Sequence, residues 1–170
     1  MDFSLDKSIE ILSATPLVLQ AFLGHLDKDW LMNNEGENTW SPLEVVRHLV
    51  LAEQTNWIPR MQIILSDGDK TFKPFNRTDD EAEPATIATA LAEFARLRAA
   101  NINNLKTFHL TSADLEKTGV HPEFGTVTLS QLLSTWTVHD FSHIAQISRV
   151  MARQYQSAVG PWTAYLRILQ

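Results

Sequence analysis

Apolar residues recur at intervals of three and four along most of the chain, which is the spacing of one face of an α-helix and not of a strand. The pattern predicts four long helices, over residues 4–26, 41–65, 86–107 and 128–155, and a short final helix over 161–169. Four such helices predict an all-α fold, a four-helix bundle in which facing helices can build metal and cofactor sites from their side chains.

Two prolines bear on where the predicted helices start. In the second helix, Ser41 and Glu44 have the spacing of a capping box, with Pro42 at the first helical position. In the first helix, Thr15-Pro16 marks either a kink or a new start with Thr15 as its cap.

Residues 66–84 break the helical pattern with a polar stretch that contains six acidic and three basic residues. Such long crossover connections are often functional lids or mobile segments, although a solvated connection between helices fits equally well. The negative charge of this stretch weakly favours a cationic or neutral substrate, because salt screens the attraction between exposed charges. Residues 119–128, with two glycines and several β-branched residues, predict a small hairpin or turn.

Composition and charge narrow the class of protein. A chain of 170 residues with 44% hydrophobic and 20% charged residues is typical of one globular domain, here predicted to span residues 1–170. The chain has no cysteine, so any thiol chemistry needs an external thiol. A net charge of −6 argues against a nucleic-acid partner. The start lacks a signal-peptide pattern and no apolar run reaches membrane length, so we expect a cytoplasmic protein without a membrane partner.

Two histidines on the last long helix are the most informative chemical feature. His139 and His143 are four residues apart, and a helical wheel places both on the apolar face with Trp136 and Ile147. Buried imidazoles need partners for their nitrogens, and one divalent metal ion would satisfy both rings. His48, in the apolar part of the second helix, is the best candidate for a third ligand, because distant positions can meet at one level of a bundle.

Other interpretations of the histidines stay open at this point. An HxxxH pair also fits a metal-free bundle in which hydrogen bonds satisfy the imidazoles. His25 and His109 lie near helix ends beside polar residues and are interpreted as surface or capping groups. His121, in a His-Pro turn before the last long helix, is a candidate for the wall of the same site.

Three segments together resemble the DinB-like superfamily of DinB/YfiT-type metal-binding four-helix bundles: WSPLEVVRHL at 40–49, HPEFGTVTLSQLL at 121–133 and WTVHDFSHIAQISR at 136–149. In that family, one histidine near the start of the second helix and an HxxxH pair on the last long helix bind a divalent metal ion. The resemblance assigns these positions to His48, His139 and His143, and all three are present.

The resemblance also implies a class of function. Some members of the superfamily are S-transferases or isomerases that use low-molecular-weight thiols, and others are described as metal-dependent hydrolases. The implied cofactor is a divalent ion, with zinc or nickel first and iron as a further option. The implied partner is a small-molecule substrate, with a low-molecular-weight thiol as one candidate.

Three neutral imidazoles leave a coordination position open, which is typical of a catalytic centre rather than of a structural one. The ion can lower the pKa of a bound water or thiol and so make a nucleophile at neutral pH. Asp140 borders the inner face on the helical wheel, and we predict it to be a catalytic residue that orients a ligand or accepts a proton. An arginine partner inside the bundle is the alternative for this carboxylate.

Four further side chains are weaker candidates for the site. Glu44 and Gln146 are placed to hold the second nitrogen of a ligating ring, and Glu53 and Arg149 are candidates for contact with a polar substrate. The competing hypothesis is a non-catalytic bundle that a metal stabilises or that binds a small molecule. Five tryptophans also leave enough aromatic surface for a homodimer, the commonest oligomer.

Overall fold

The computed structural model describes residues 2–75 and 86–170. In chain order its elements are α1 (Leu5–Leu23), α2 (Lys28–Met32), α3 (Pro42–Thr55), α4 (Trp57–Leu65), α5 (Ile87–Thr107), α6 (Ser112–Leu115), β1 (Thr118–His121), β2 (Gly125–Thr128), α7 (Leu129–Gln154), α8 (Gln156–Val159) and the 3-10 turns Gly160–Tyr165 and Arg167–Leu169. Helices α1, α3 with α4, α5 and α7 pack together as the predicted four-helix bundle. No helix in the described ranges is both long enough and apolar enough to cross a membrane.

Capping side chains confirm the predicted helix starts. Ser41 and Glu44 form the capping box of α3, in which the Ser41 N–H donates to Oε2 of Glu44 at 2.7 Å. Thr86 and Thr128 cap α5 and α7, and the hydroxyl oxygen of each accepts the backbone N–H three residues later; Thr128 also forms a capping box with Gln131. The predicted final helix is instead a pair of 3-10 turns.

Helix α1 runs through Pro16 without a new start. Thr15 is not a cap, because its hydroxyl donates to the carbonyl of Ile11 at 3.0 Å. Proline has no backbone N–H, so the carbonyl of Leu12 loses its helical partner. Arg98 of α5 replaces that partner, since its Nη1 donates to the Leu12 oxygen at 2.9 Å. The proline therefore opens a hydrogen-bonding position on α1 for a side chain from another helix.

The second predicted helix is divided in two, which corrects the single helix expected over residues 41–65. Helix α3 ends at Thr55 and α4 begins at Trp57, with Asn56 between them at φ −106° and ψ −66°. Pro59 explains the break, because it offers no N–H to the carbonyl of Thr55 and its ring collides with a carbonyl in the ideal helical position.

The small hairpin predicted within residues 119–128 is present, and the preceding connection packs against it. Strands β1 and β2 pair antiparallel. The N–H of Phe72 donates to the carbonyl of Val120, and the Val120 N–H donates to the carbonyl of Lys70, both at 2.9 Å. Phe72 is 2% exposed. Phe72 therefore anchors the start of the polar connection on the hairpin, while most of residues 66–75 are exposed, and the predictions for residues 76–84 lie outside the described residues.

The bundle has two apolar clusters with polar residues between them. One cluster includes Leu12, Met61, Phe72, Leu129 and Trp136, and the other includes Leu19, Val46, Leu49, Phe94 and Ile147. Along α5 and α7, the charged residues Arg98 and Asp140 fall between the members of the two clusters. The middle of the bundle is therefore polar, and the histidines of α3 and α7 lie at this level.

Candidate metal centre

Three imidazole rings converge on one point between α3 and α7. The Nε2 atom of His139 lies 3.2 Å from Nε2 of His48 and 3.1 Å from Nε2 of His143. The three potential ligand atoms all lie within 4.8 Å of one another. Helix α7 brings its two histidines together because four residues make about one turn, and the packing of α3 against α7 supplies the third. The structure thus unites the three histidines that the sequence analysis selected.

The distances fit a shared metal ion better than hydrogen bonds among neutral rings. In a neutral imidazole, Nε2 has either one hydrogen or one lone pair, so Nε2 of His139 can bond to only one of its two neighbours. A tetrahedral ion with bonds of about 2.0–2.1 Å places its nitrogen ligands about 3.3 Å apart. The observed separations of 3.1 and 3.2 Å are close to that value. A shared ion therefore accounts for both close contacts of His139 Nε2, which hydrogen bonds between neutral rings cannot do.

Burial keeps His139 in the neutral form that binds metal ions. Burial first, then repulsion from His143 and His48 and from Arg98, lowers the pKa of His139 to about 3. The ring is therefore uncharged at neutral pH, and with its hydrogen on Nδ1 it presents the Nε2 lone pair to a metal ion. The buried Nδ1 of this ring makes no hydrogen bond within the described part of the chain. An edge-to-face contact with Trp57, with ring centroids 5.1 Å apart, holds the ring instead.

Gln146 fixes the orientation of the His143 ring. Its side-chain oxygen lies 2.8 Å from Nδ1 of His143. Because an amide oxygen only accepts hydrogen bonds, Nδ1 carries the hydrogen and Nε2 keeps its lone pair for the cluster. Gln146 therefore contacts the second nitrogen of a ring in the cluster, and that ring belongs to His143.

Aromatic side chains pack around the imidazoles. Trp40 lies against His48 with ring centroids 4.7 Å apart, and it stacks on His143 at 6.3 Å. Phe75 contacts His48 edge-to-face at 5.5 Å. These contacts restrict the rings to orientations in which their Nε2 atoms face one another, and they surround the cluster with apolar surface.

The three histidines line a cavity of about 670 Å³, a volume typical of small-molecule sites. Its other walls combine aromatic side chains with polar ones, among them Trp40, Phe75, Phe124, Asn56, Arg60 and Gln146. His121 also lines this cavity, as the sequence analysis expected, and its Nδ1 accepts from the N–H of Glu123 at 3.2 Å. The hairpin before α7 therefore forms one wall of the site.

The family model of the DinB superfamily matches residues 11–147, a range that contains all three histidines. The chain belongs to the DinB superfamily. The resemblance inferred from the sequence motifs is therefore confirmed.

Relatives of this DinB-superfamily chain occur in several Bacillus species. A Bacillus mycoides protein named "Putative metal-dependent hydrolase" is 25% identical over 154 residues, which cover 88% of this chain and 86% of the relative. A Bacillus anthracis protein with the same name matches with the same identity and coverage. Both proteins are named for a reaction class and not for a substrate.

Solved structures of similar proteins share the fold. YfiT of Bacillus subtilis, described as a probable metal-dependent hydrolase with an unusual four-helix bundle topology, has a TM-score of 0.73 at 21% identity, covering 88% of this chain and 86% of YfiT. A DinB-like protein of Bacillus cereus has a TM-score of 0.61 at 19% identity, covering 91% and 94% of the two chains. These likenesses confirm the predicted four-helix bundle.

Asp140, the predicted catalytic residue, has a different environment from the histidine next to it. Its two carboxylate oxygens accept from Nη1 and Nη2 of Arg98 at 2.6 and 2.8 Å, and it is 0% exposed. Neither oxygen belongs to the group of potential metal ligands found among the described residues. The structure places Asp140 in the arginine pair that the sequence analysis gave as the alternative, and so we do not include it in the proposed chemistry.

Glu53, a candidate for substrate contact, is instead a buried partner in the same network. It is 2% exposed and accepts from Nε of Arg98 at 3.1 Å, Nε1 of Trp136 at 2.9 Å and Nδ2 of Asn101 at 2.9 Å. Burial lowers the pKa of Arg98, but the hydrogen bond to Asp140 and the charge of Glu53 outweigh burial and raise it. The network joins α1, α3, α5 and α7 and leaves Glu53 no role at the cavity.

Two other weak candidates lie outside the cavity lining. Glu44 caps α3 through Ser41 and does not support a ligating ring. Arg149 forms an ion pair with Glu35 at 2.9 Å. In the described structure Glu44 therefore serves a helix start and Arg149 a surface ion pair, and neither of these two candidates lines the cavity.

The sequence analysis missed Arg60, which lines the cavity and is 8% exposed. Trp57, Arg60, Met61 and Ile64 form the buried stripe of α4, at positions i, i+3, i+4 and i+7. A charged residue at a position of the apolar stripe is the signal that could have identified Arg60 from the sequence.

Proposed function

We propose that this chain is a metal-dependent hydrolase of small molecules that holds one divalent ion on the Nε2 atoms of His48, His139 and His143. The observation that carries the proposal is the approach of three imidazole nitrogens to 3.1 and 3.2 Å beside a cavity of about 670 Å³. The names of the relatives favour hydrolysis as the reaction class. Zinc or nickel suits an all-imidazole ligand set, and iron is a further option.

The residues of the site prepare it in distinct ways. Burial holds His139 neutral, and Gln146 keeps the hydrogen of His143 on Nδ1. Trp40 and Phe75 exclude water from one side of the imidazoles and offer apolar surface to the organic part of a substrate. A divalent ion held there supplies Lewis acidity, which provides a nucleophile at neutral pH and polarises the bond to be broken.

Hydrolysis of a panel of chromogenic esters and amides by zinc- or nickel-loaded protein tests this proposal. We expect turnover that requires the metal and falls by at least about 100-fold in His48→Ala. His25→Ala is the matched control, because the same substitution then removes an exposed histidine outside the cavity. Equal rates in the wild type, in His48→Ala and after chelation would mean that the hydrolysis does not come from this site.

Several finer expectations stay predictions. Transfer of a low-molecular-weight thiol needs the same metal site together with an external thiol, since the chain has no cysteine. A non-catalytic role for a bound metal, the homodimer and the cytoplasmic location are likewise predictions.

A further inference from the structure

Arg60 is a buried cation without a carboxylate partner among the described residues. It lies on the inner stripe of α4 and is 8% exposed. The one hydrogen bond of its side chain within the described residues runs from Nη2 to the carbonyl of Lys73 at 3.4 Å, near the upper limit for such a bond. Its guanidinium also lies 5.2 Å from the centre of the Phe72 ring. These contacts satisfy only part of a group that has five N–H donors.

The two acidic side chains that share a cavity with Arg60 do not neutralise it. Glu123 lines the same cavity as the histidines, and Asp69 lines a neighbouring cavity that also includes Arg60. Within the described residues, no ion pair of 4.0 Å or less joins Arg60 to either of them. Asp69 instead accepts from the N–H of Thr71 at 2.9 Å.

The location of Arg60 connects its charge with the metal cluster. Arg60, His121 and the three clustered histidines line one cavity. Burial first, and then the charge of Arg60, lowers the pKa of His121, so the field of the guanidinium reaches that wall. A buried charge is costly unless it is paired. An incompletely paired charge that lines a cavity is a candidate binding group for an anionic ligand.

We infer that Arg60 is the anion-binding residue of this cavity and that the substrate is a small molecule with a carboxylate or phosphate group. A guanidinium binds either group through two parallel N–H···O bonds. The inference rests on the proposed function, which assigns the reacting end of the substrate to the three-histidine metal site. An anionic substrate differs from the cationic or neutral one expected from the acidic residues of 66–84. We favour the anion because Arg60, a buried positive charge, lines the cavity itself.

Binding of matched thiols to the zinc-loaded protein tests the inference by calorimetry. The charged probes are mercaptocarboxylates of three to six carbons, and the neutral controls are mercaptoalcohols of the same lengths. Mercaptoalkyl phosphates of the same lengths show which anion is preferred. The thiol anchors each probe at the metal, and the series of lengths covers the distance to Arg60.

We expect at least one anionic probe to bind about tenfold or more tightly than its neutral control. That preference should fall to within about twofold in Arg60→Gln and stay unchanged in Arg96→Gln. Arg96 is the matched control, because it is an exposed arginine paired with Glu93 at 2.7 Å and lies outside this cavity. Equal binding of charged and neutral probes to the wild type, or a preference that survives in Arg60→Gln, would overturn the inference.

Two further measurements keep the outcome decisive. If circular dichroism shows that Arg60→Gln is unfolded, Arg60→Lys is used instead. A reduced preference of Arg60→Lys for the anionic probe supports the inference, and an unchanged preference overturns it. Metal content is measured on the same samples. If the protein holds no metal, the proposed function fails, and thiol-free carboxylates of the same lengths are titrated instead. Arg60-dependent binding of these probes still supports the anion site, and no binding overturns it.

Discussion

Two groups of polar side chains lie next to each other on α7, and they differ in how completely their hydrogen bonds are made. Asp140 belongs to the network around Arg98, whose contacts to the two carboxylates measure 2.6 to 3.1 Å. His139, one residue earlier, directs Nε2 at two other imidazole nitrogens, and its Nδ1 makes no hydrogen bond in the described part of the chain.

The difference separates a group that stabilises the fold from one prepared for a ligand. Buried polar atoms without partners reduce stability, so the incomplete cluster weakens the bundle until something binds it. The complete network instead joins four helices, including α1 through the carbonyl freed by Pro16. Mutations in the network should therefore change stability, and mutations in the histidine cluster should change metal binding.

The largest expected effect comes from breaking the network. Arg98→Ala leaves Glu53 and Asp140 buried without their cation, and we expect the free energy of unfolding to fall by about 3–5 kcal/mol. Urea denaturation measures this loss. In the exposed control Arg96→Ala, the change should stay within about 0.5 kcal/mol. A loss of under about 1 kcal/mol in Arg98→Ala would mean that the network does not hold the helices together.

Metal removal tests the histidine cluster, the second of the two groups compared. Because two apolar clusters and the Arg98 network are independent of the imidazoles, we expect the chelated protein to keep its helical circular dichroism. Zinc at about 100 times its dissociation constant should add about 2.7 kcal/mol of stability, and this gain should vanish in His143→Ala. Loss of helical structure on chelation would instead identify the metal as a structural staple.

Asp140→Asn sharpens the comparison, because it alters the network at the position next to a cluster histidine. The amide cannot form both charged bonds to Arg98, so we expect a loss of about 2 kcal/mol in stability with metal content unchanged. Urea denaturation and elemental analysis on the same preparation measure the two quantities. Unchanged stability together with lost turnover would restore the catalytic role that the sequence analysis predicted for Asp140.

The smallest predicted effect concerns the support of one ring. Gln146→Ala removes the acceptor for Nδ1 of His143, and we expect metal affinity to fall by about tenfold with little change in the stability of the metal-free protein. Competition with a metal-binding dye measures this affinity. Gln146→Glu, which keeps an acceptor, should retain it. An unchanged affinity in Gln146→Ala would show that packing alone orients His143.

Much of this fold could be predicted from local sequence signals. Residues 86–107 and 128–155 were predicted as helices from their apolar periodicity, and α5 and α7, which the structure shows to be capped by threonines, agree closely with those ranges. The break at Asn56 was missed because Trp57 follows Val50 at the helical spacing of seven residues. There, the missing N–H of Pro59 outweighs the periodicity.

The candidate site, like the fold, was predicted only in part from the sequence. Helical spacing predicted that His139 and His143 share a face, the apolar surroundings of His48 made it the best candidate for a third ligand, and the family resemblance assigned all three positions. A helical wheel also placed Asp140 near that face. A wheel describes a single helix, however, and cannot show which side chain of a neighbouring helix lies against Asp140. Arg98 comes from α5, 42 residues away in sequence, so its pairing with Asp140 depends on tertiary packing.

The most direct test of the account is the metal content of the wild type beside His139→Ala, measured by elemental analysis after reconstitution with zinc, nickel or iron. We predict about one equivalent in the wild type and in the exposed-site control His25→Ala, with loss in His139→Ala. His139 is the informative position, because its Nε2 contacts both other imidazoles. A wild type that binds none of these metals, or a His139→Ala variant that keeps a full equivalent, would contradict the three-histidine metal centre.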